Sequence, residues 1–118
     1  MSQWQEVCPL TAILPATGVC ALVEGQQIAI FRPGTDEQVF ALSNIDPFAQ
    51  ASVLSRGIIA EHQHTLWVTS PLKKQHFRLQ DGYCMEDARA SIASYPVRIR
   101  KGMVEVCAVA NTKTASIE

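Results

Sequence analysis

The sequence predicts an all-β domain, an antiparallel β-sandwich or partly open barrel. Three observations lead there. Apolar and β-branched residues recur in short runs with period-two alternation. Two-residue turn signals punctuate those runs at Glu24-Gly25, Asp81-Gly82 and Lys101-Gly102. No stretch keeps a helical period over several turns.

The elements follow in order. Trp4 to Cys8 reads as a first strand, and Pro9 to Pro15 as a connection with room for one helical turn. Val19 to Val23 and Gln27 to Phe31 flank Glu24-Gly25 and form a hairpin, with Ile28 and Ile30 on one face. Pro33 and Gly34 mark a loop before the strand Val39 to Leu42. Asn44 to Ser55 breaks the strand rhythm. Ile58 to Glu61 and Leu66 to Thr69 form the next hairpin, followed by Gln75 to Leu79 and the Asp81-Gly82 turn. Asp87 to Ser94 is a loop or short helical turn. In Val97 to Arg100, Val97 and Ile99 point inward and Arg98 and Arg100 outward; Lys101-Gly102 then turns the chain into Met103 to Val109. The expected organisation is one β domain over residues 1–109 and a flexible C-terminal tail over 110–118, where little can be buried.

A chain of 118 residues fits one domain and buries enough surface to hold a core without disulfides or metal. It is 47% hydrophobic and 18% charged, a globular composition, and its formal net charge of −1 lacks the basic surplus of a nucleic-acid binder. Lys73-Lys74 and Arg98 to Lys101 are local basic clusters, read first as solvated faces. The N-terminus has no signal-peptide pattern and no apolar run is long enough to span a bilayer, so a cytoplasmic location is expected. The four cysteines, Cys8, Cys20, Cys84 and Cys107, contain no Cys-x-x-Cys pair. They are expected to be free thiols, most of them buried in packing.

Catalytic signatures are sparse: there is no Gly-x-Ser-x-Gly elbow, P-loop or Gly-x-Gly-x-x-Gly. A Cys–His nucleophile pair would need one of the four cysteines near one of the three histidines, and such numbers arise easily by chance. His62 and His64 share a face if both lie in a strand, but two ligands fall short of a tetrahedral zinc site, and solvent-facing loop histidines are the simpler reading.

The informative stretches are Ser43 to Gly57 and Leu66 to Cys84. Pro47, Leu54-Ser55-x-Gly57, Pro71, Phe77, Asp81-Gly82-x-Cys84 and Tyr95-Pro96-Val97 together resemble the Rieske domain family, from about Trp4 to Val109. That family holds a two-iron cluster with a Cys-Pro-His loop and a Cys-Pro-x-His loop, the cysteines on one iron and the histidines on the other. The resemblance implies a Rieske-like antiparallel β-sandwich or partly open barrel with two protruding loops. All four ligand positions depart from the pattern. Asp46 and Ser70 stand at the cysteine positions, Phe48 and Lys73 at the histidine positions. Oxygen groups replace thiolates poorly, Phe48 has no donor atom, and a lysine ammonium has no lone pair. A Rieske-like fold with no iron–sulfur cluster, no metal and no cofactor in this chain is expected.

Longer strings are similar to the small-subunit family of bacterial assimilatory NAD(P)H-dependent nitrite reductases. They are Val19 to Leu22, Ile30 to Pro33, Ser43 to Phe48, Ser52 to Gly57, Ile59 to His62, Ser70 to Gln75 and Cys84 to Asp87. This resemblance implies a heteromeric complex serving nitrate assimilation, with a large catalytic subunit carrying FAD, siroheme and an iron–sulfur cluster. It implies no catalytic residue here, an inactive isolated chain, and neither nucleic acid nor membrane as partner. The alternative is a Rieske-type [2Fe-2S] electron-transfer protein. Loop tips on a rigid β scaffold commonly carry recognition residues. Phe48, Arg56, Lys73 and Lys74 are therefore the candidate interface residues. A packing role stands beside this: Phe48 filling the cluster's space, and an Asp46–Lys73 ion pair closing the loops.

Overall fold

The computed structural model describes residues 3–111. The described residues form twelve strands: β1 (Trp4–Pro9), β2 (Thr17–Val23), β3 (Gln26–Arg32), β4 (Phe40–Ser43), β5 (Ile45–Asp46), β6 (Ala51–Ser52), β7 (Ile58–His62), β8 (Thr65–Thr69), β9 (His76–Arg78), β10 (Ser94–Tyr95), β11 (Val97–Arg100) and β12 (Met103–Cys107). Short 3-10 turns cover Leu10–Ala12, Leu54–Arg56 and Ala88–Ala90. All pairings between strands are antiparallel.

Three two-residue hairpins give the fold its regularity. Both turn residues have positive φ in each: Glu24 and Gly25 at 50° and 81°, Gln63 and His64 at 52° and 65°, Lys101 and Gly102 at 53° and 79°. Such turns match the twist of the flanking strands. The second hairpin carries no glycine, and the sequence signal at Gln63-His64 is correspondingly faint. It places His62 at a strand end and His64 in the turn. Both are exposed, and His64 Nδ1 lies 3.7 Å from Glu61 Oε2.

The strands assemble into sheets with the orders β1-β12-β11, β10-β4-β3-β2 and β7-β8-β9, plus the small β5-β6 hairpin. The arrangement is an open sandwich with no closed barrel. Two cores lie on the two faces of the middle sheet. Ile28, Ile30, Val23 and Ala41 pack with Leu10, Ile13, Val104 and Val106 in one. Ala29, Phe31 and Leu42 pack with Leu54, Val68, Phe77, Leu79 and Cys84 in the other. Alternation in β3 therefore separates two apolar surroundings rather than core from solvent, and Ile28 through Phe31 are all fully buried.

Two elements escaped the sequence pattern. The β5-β6 hairpin lies inside Asn44 to Ser55, and β10 pairs with β4 through Ser94↔Leu42 and Tyr95↔Ala41. Each is two residues long, too short to show periodicity. Of the expected tail, residues 112–118 lie outside the described residues. Asn111 donates its N–H to Ser94 O at 2.8 Å and its side-chain amide to Ser94 Oγ at 3.0 Å.

The cysteines are all free, but only Cys84 and Cys107 are buried; Cys20 is exposed and Cys8 half-buried. Cys20 sits on an edge strand, which corrects the expectation that most of them are core residues. No helix among the described residues is long and apolar enough to cross a membrane.

Candidate functional site: two closed loops at one tip

The first loop begins at Asp46, the last residue of β5. Its Oδ1 accepts hydrogen bonds from the N–H groups of Phe48 (2.8 Å) and Ala49 (3.3 Å), and its carbonyl accepts from Gln50 N–H (2.7 Å). An aspartate before proline readily makes this turn, because the short carboxylate reaches the amides two and three residues on. Gln50 takes a left-handed φ of 52° before β6 returns the chain. Asn44, 1% exposed, braces the loop from below. Its Oδ1 accepts from Ser55 N–H at 2.7 Å and its Nδ2 lies 3.3 Å from Cys20 Sγ.

The second loop leaves β8 at Ser70. Ser70 N–H donates to Gln75 O (2.9 Å), Lys74 N–H to Ser70 O (3.2 Å) and Leu72 N–H to Ser70 Oγ (3.4 Å). Lys74 has a φ of 69°. Gly57 lets this loop start where it does: a Cβ there would lie 2.4 Å from Thr69 O and 2.7 Å from Val68 Cγ2. Beyond the loop, His76 N–H donates to Glu86 Oε1 (2.9 Å) and its Nδ1 lies 2.6 Å from Glu86 Oε2, tying the Cys84–Glu86 segment to β9.

The loops meet through one contact. Ser70 Oγ donates a short hydrogen bond to Asp46 Oδ2, with both residues fully buried. The expected Asp46–Lys73 ion pair does not form. Asp46 already has three donors, and Lys73 projects into solvent without an ion pair among the described residues. Phe48 is 36% exposed and packs its ring 6.4 Å from that of Phe77, tilted by 48°. It therefore covers the second core and still faces solvent.

Phe48, Lys73 and Lys74 thus lie on the two joined loops. Arg56 stands apart, exposed on the 3-10 turn beside β2. Leu72, 54% exposed, shares the second loop, and Met85, 40% exposed, is held next to β9 by its N–H bond to His76 O. Sequence reasoning passed over these two, because an apolar residue in a loop carries no motif.

The residues at the four Rieske ligand positions do not fit a [2Fe-2S] cluster. The two oxygen side chains at the cysteine positions are hydrogen-bonded to each other, and the histidine positions offer a hydrocarbon ring and an ammonium. Cys84 is fully buried in the second core, its Sγ 3.8 Å from Glu86 Oε1. Among the described residues no three His, Cys, Asp or Glu side chains converge.

The family model described as a Rieske-like [2Fe-2S] domain matches residues 3–107. The chain is 63% identical over 106 residues to the nitrite reductase (NADH) small subunit of Salmonella typhimurium, an alignment covering 90% of this chain and 98% of that protein. Its fold superposes on the NMR structure of the Escherichia coli protein NirD with a TM-score of 0.87 and 59% identity, covering 92% of this chain and 99% of the other. A third relative is a nitrite reductase NAD(P)H large subunit of Klebsiella oxytoca, 40% identical over 103 residues. That match covers 87% of this chain and 11% of the Klebsiella protein. With its two loops and all-β layers accounted for, the chain belongs to the Rieske-like [2Fe-2S] domain family, among the small subunits of NADH-dependent nitrite reductase.

Proposed function

We propose that this chain is a cofactor-free supporting subunit of an NAD(P)H-dependent nitrite reductase, docking by its loop tip on the large subunit. In this reading the large subunit holds FAD, siroheme and an iron–sulfur cluster and reduces nitrite to ammonia in nitrate assimilation. The small chain carries no electrons. The observation that carries the reading is the buried Asp46–Ser70 hydrogen bond, which closes the tip with groups unsuited to iron. What remains at the tip is a recognition surface. Phe48 and Leu72 supply exposed apolar area on a braced frame, and Lys73 and Lys74, exposed and without an ion pair among the described residues, supply positive charge on the second loop. A partially exposed aromatic on one loop and two cations on the loop joined to it suit an apolar pocket with an acidic rim.

The Klebsiella relative supports the pairing, since a domain like this one there forms part of a large-subunit polypeptide.

The test is NAD(P)H-dependent nitrite reduction by purified large subunit with and without this chain, with co-elution on a sizing column and iron analysis of the chain alone. Co-elution, a higher rate and substoichiometric iron are expected. Stoichiometric iron with visible absorption would replace the reading with an electron-transfer protein.

A further inference from the structure

A second surface lies away from the loops, between the outer edges of β1 and β2. Each strand is the last in its sheet, β1 in the order β1-β12-β11 and β2 in β10-β4-β3-β2. At one end Gln5 of β1 donates its Nε2 to Glu24 Oε2, in the turn after β2, at 3.1 Å. A groove of about 490 Å³ runs between the two edges, lined by Gln5, Glu6, Val7, Cys8, Leu22 and Glu24 among others.

The hairpin register fixes which backbone groups face this groove. A two-residue turn makes Val23 and Gln26 a hydrogen-bonded pair, and bonded pairs then alternate along β2 and β3. Ala21 and Val19 are bonded inward to β3. Leu22 and Cys20 aim their N–H and C=O groups outward. The same alternation turns Gln27 O toward β4, where it accepts from Asn44 N–H at 2.9 Å. On the opposite wall, a bulge between Glu6 and Cys8 leaves Val7 without a partner on β12. Leu22 is 72% exposed, the position of a side chain that another strand would cover.

We propose that this seam takes one extended segment of the large subunit, which pairs with β2 as an added strand and carries basic side chains at the rim. The charge of the groove selects the occupant: among the described residues Glu6 and Glu24 line it and no lysine or arginine does. Open strand edges supply affinity through main-chain bonds, and flanking side chains supply selectivity. The inference rests on the large-subunit reading above and adds an attachment independent of the loop tip.

The test uses the full chain and the purified large subunit. Leu22→Pro removes an outward N–H while leaving the inward ladder intact, as proline is tolerated on an open edge. It is expected to weaken association at least tenfold. Glu6→Lys with Glu24→Lys, a surface change that leaves the backbone alone, is expected to weaken it comparably. It keeps the proposal testable if the proline variant does not fold. In wild type, amide exchange at Cys20 and Leu22 is expected to slow when the large subunit is added. Association unchanged in the charge-reversed variant, with no slowing at those amides, overturns the seam while leaving tip docking intact. Failure of the wild-type chain to bind the large subunit overturns both.

Discussion

Ser70 and Asp46, twenty-four positions apart in the chain, are joined by a hydrogen bond that no water reaches. In a cluster-bearing Rieske domain the two equivalent positions are cysteines on one iron. Here a hydroxyl and a carboxylate hold the two loops together with a single proton between them. The loop frame survives because Asp46 also caps its own turn, giving the buried carboxylate three donors.

Removing either partner leaves a buried polar group unpaired. Asp46→Ala strips acceptors from Ser70 and two loop amides and is expected to cost about 2–4 kcal/mol; Ser70→Ala is expected to cost about 1–3 kcal/mol. Urea unfolding of both single variants and the double variant should show that the two losses do not add.

Tip variants should separate affinity from steering. Phe48→Ala is expected to weaken association with the large subunit about tenfold or more through faster dissociation. Lys73→Ala with Lys74→Ala should mainly slow association and flatten its salt dependence. Surface plasmon resonance at several salt concentrations reads both effects.

Gly57→Ala places a methyl 2.4 Å from Thr69 O, a backbone atom with no side-chain freedom to yield. A loss of about 1–3 kcal/mol is expected, from a clash with the strand that launches the second loop. Thermal unfolding checks it, and Gly34→Ala, whose added Cβ meets nothing within 4 Å, serves as the control.

Acid should weaken the protein through carboxylates held ionised by their neighbours. The Arg78 side chain, with help from Tyr83 N–H, holds the Asp81 carboxyl below its ordinary 3.8. Burial pushes Glu86 up, but the backbone N–H and ring of His76 outweigh it and bring the carboxyl below 4.5. Lowered carboxyl values contribute stability above the unfolded value and lose it as pH falls through the folded one. The half-exposed Asp81–Arg78 pair is worth about 0.5–1 kcal/mol at neutral pH once solvent screening is included. Asp81→Asn should therefore sit below wild type at pH 7, with the gap closing as pH drops beneath 3.8.

The long hairpins were legible in the sequence because alternation and turn residues agree at Glu24-Gly25 and Lys101-Gly102. Family resemblance located Asp46, Phe48, Ser70 and Lys73 on the two loops. It did not reveal who bonds to whom. Opposite charge pointed to Asp46 and Lys73, whereas burial decides the outcome. A carboxylate enclosed with a hydroxyl and two amides has no need of a lysine that gains more from water. Asn44 was missed because its function is one of position: a lone asparagine has no pattern until Ser55 and Cys20 are folded around it. The edges of β1 and β2 were equally hidden, since an edge strand reads like a central one.

Strand β3 is a party wall. Ile28 and Ile30 furnish one room, Ala29 and Phe31 the other, and no residue of that stretch touches solvent. Damage on either side is therefore felt across it, and the loop end cannot melt while the remainder stays whole. The chain should unfold in one step, with the amides of Ile28 to Phe31 the last to surrender their protons to the solvent.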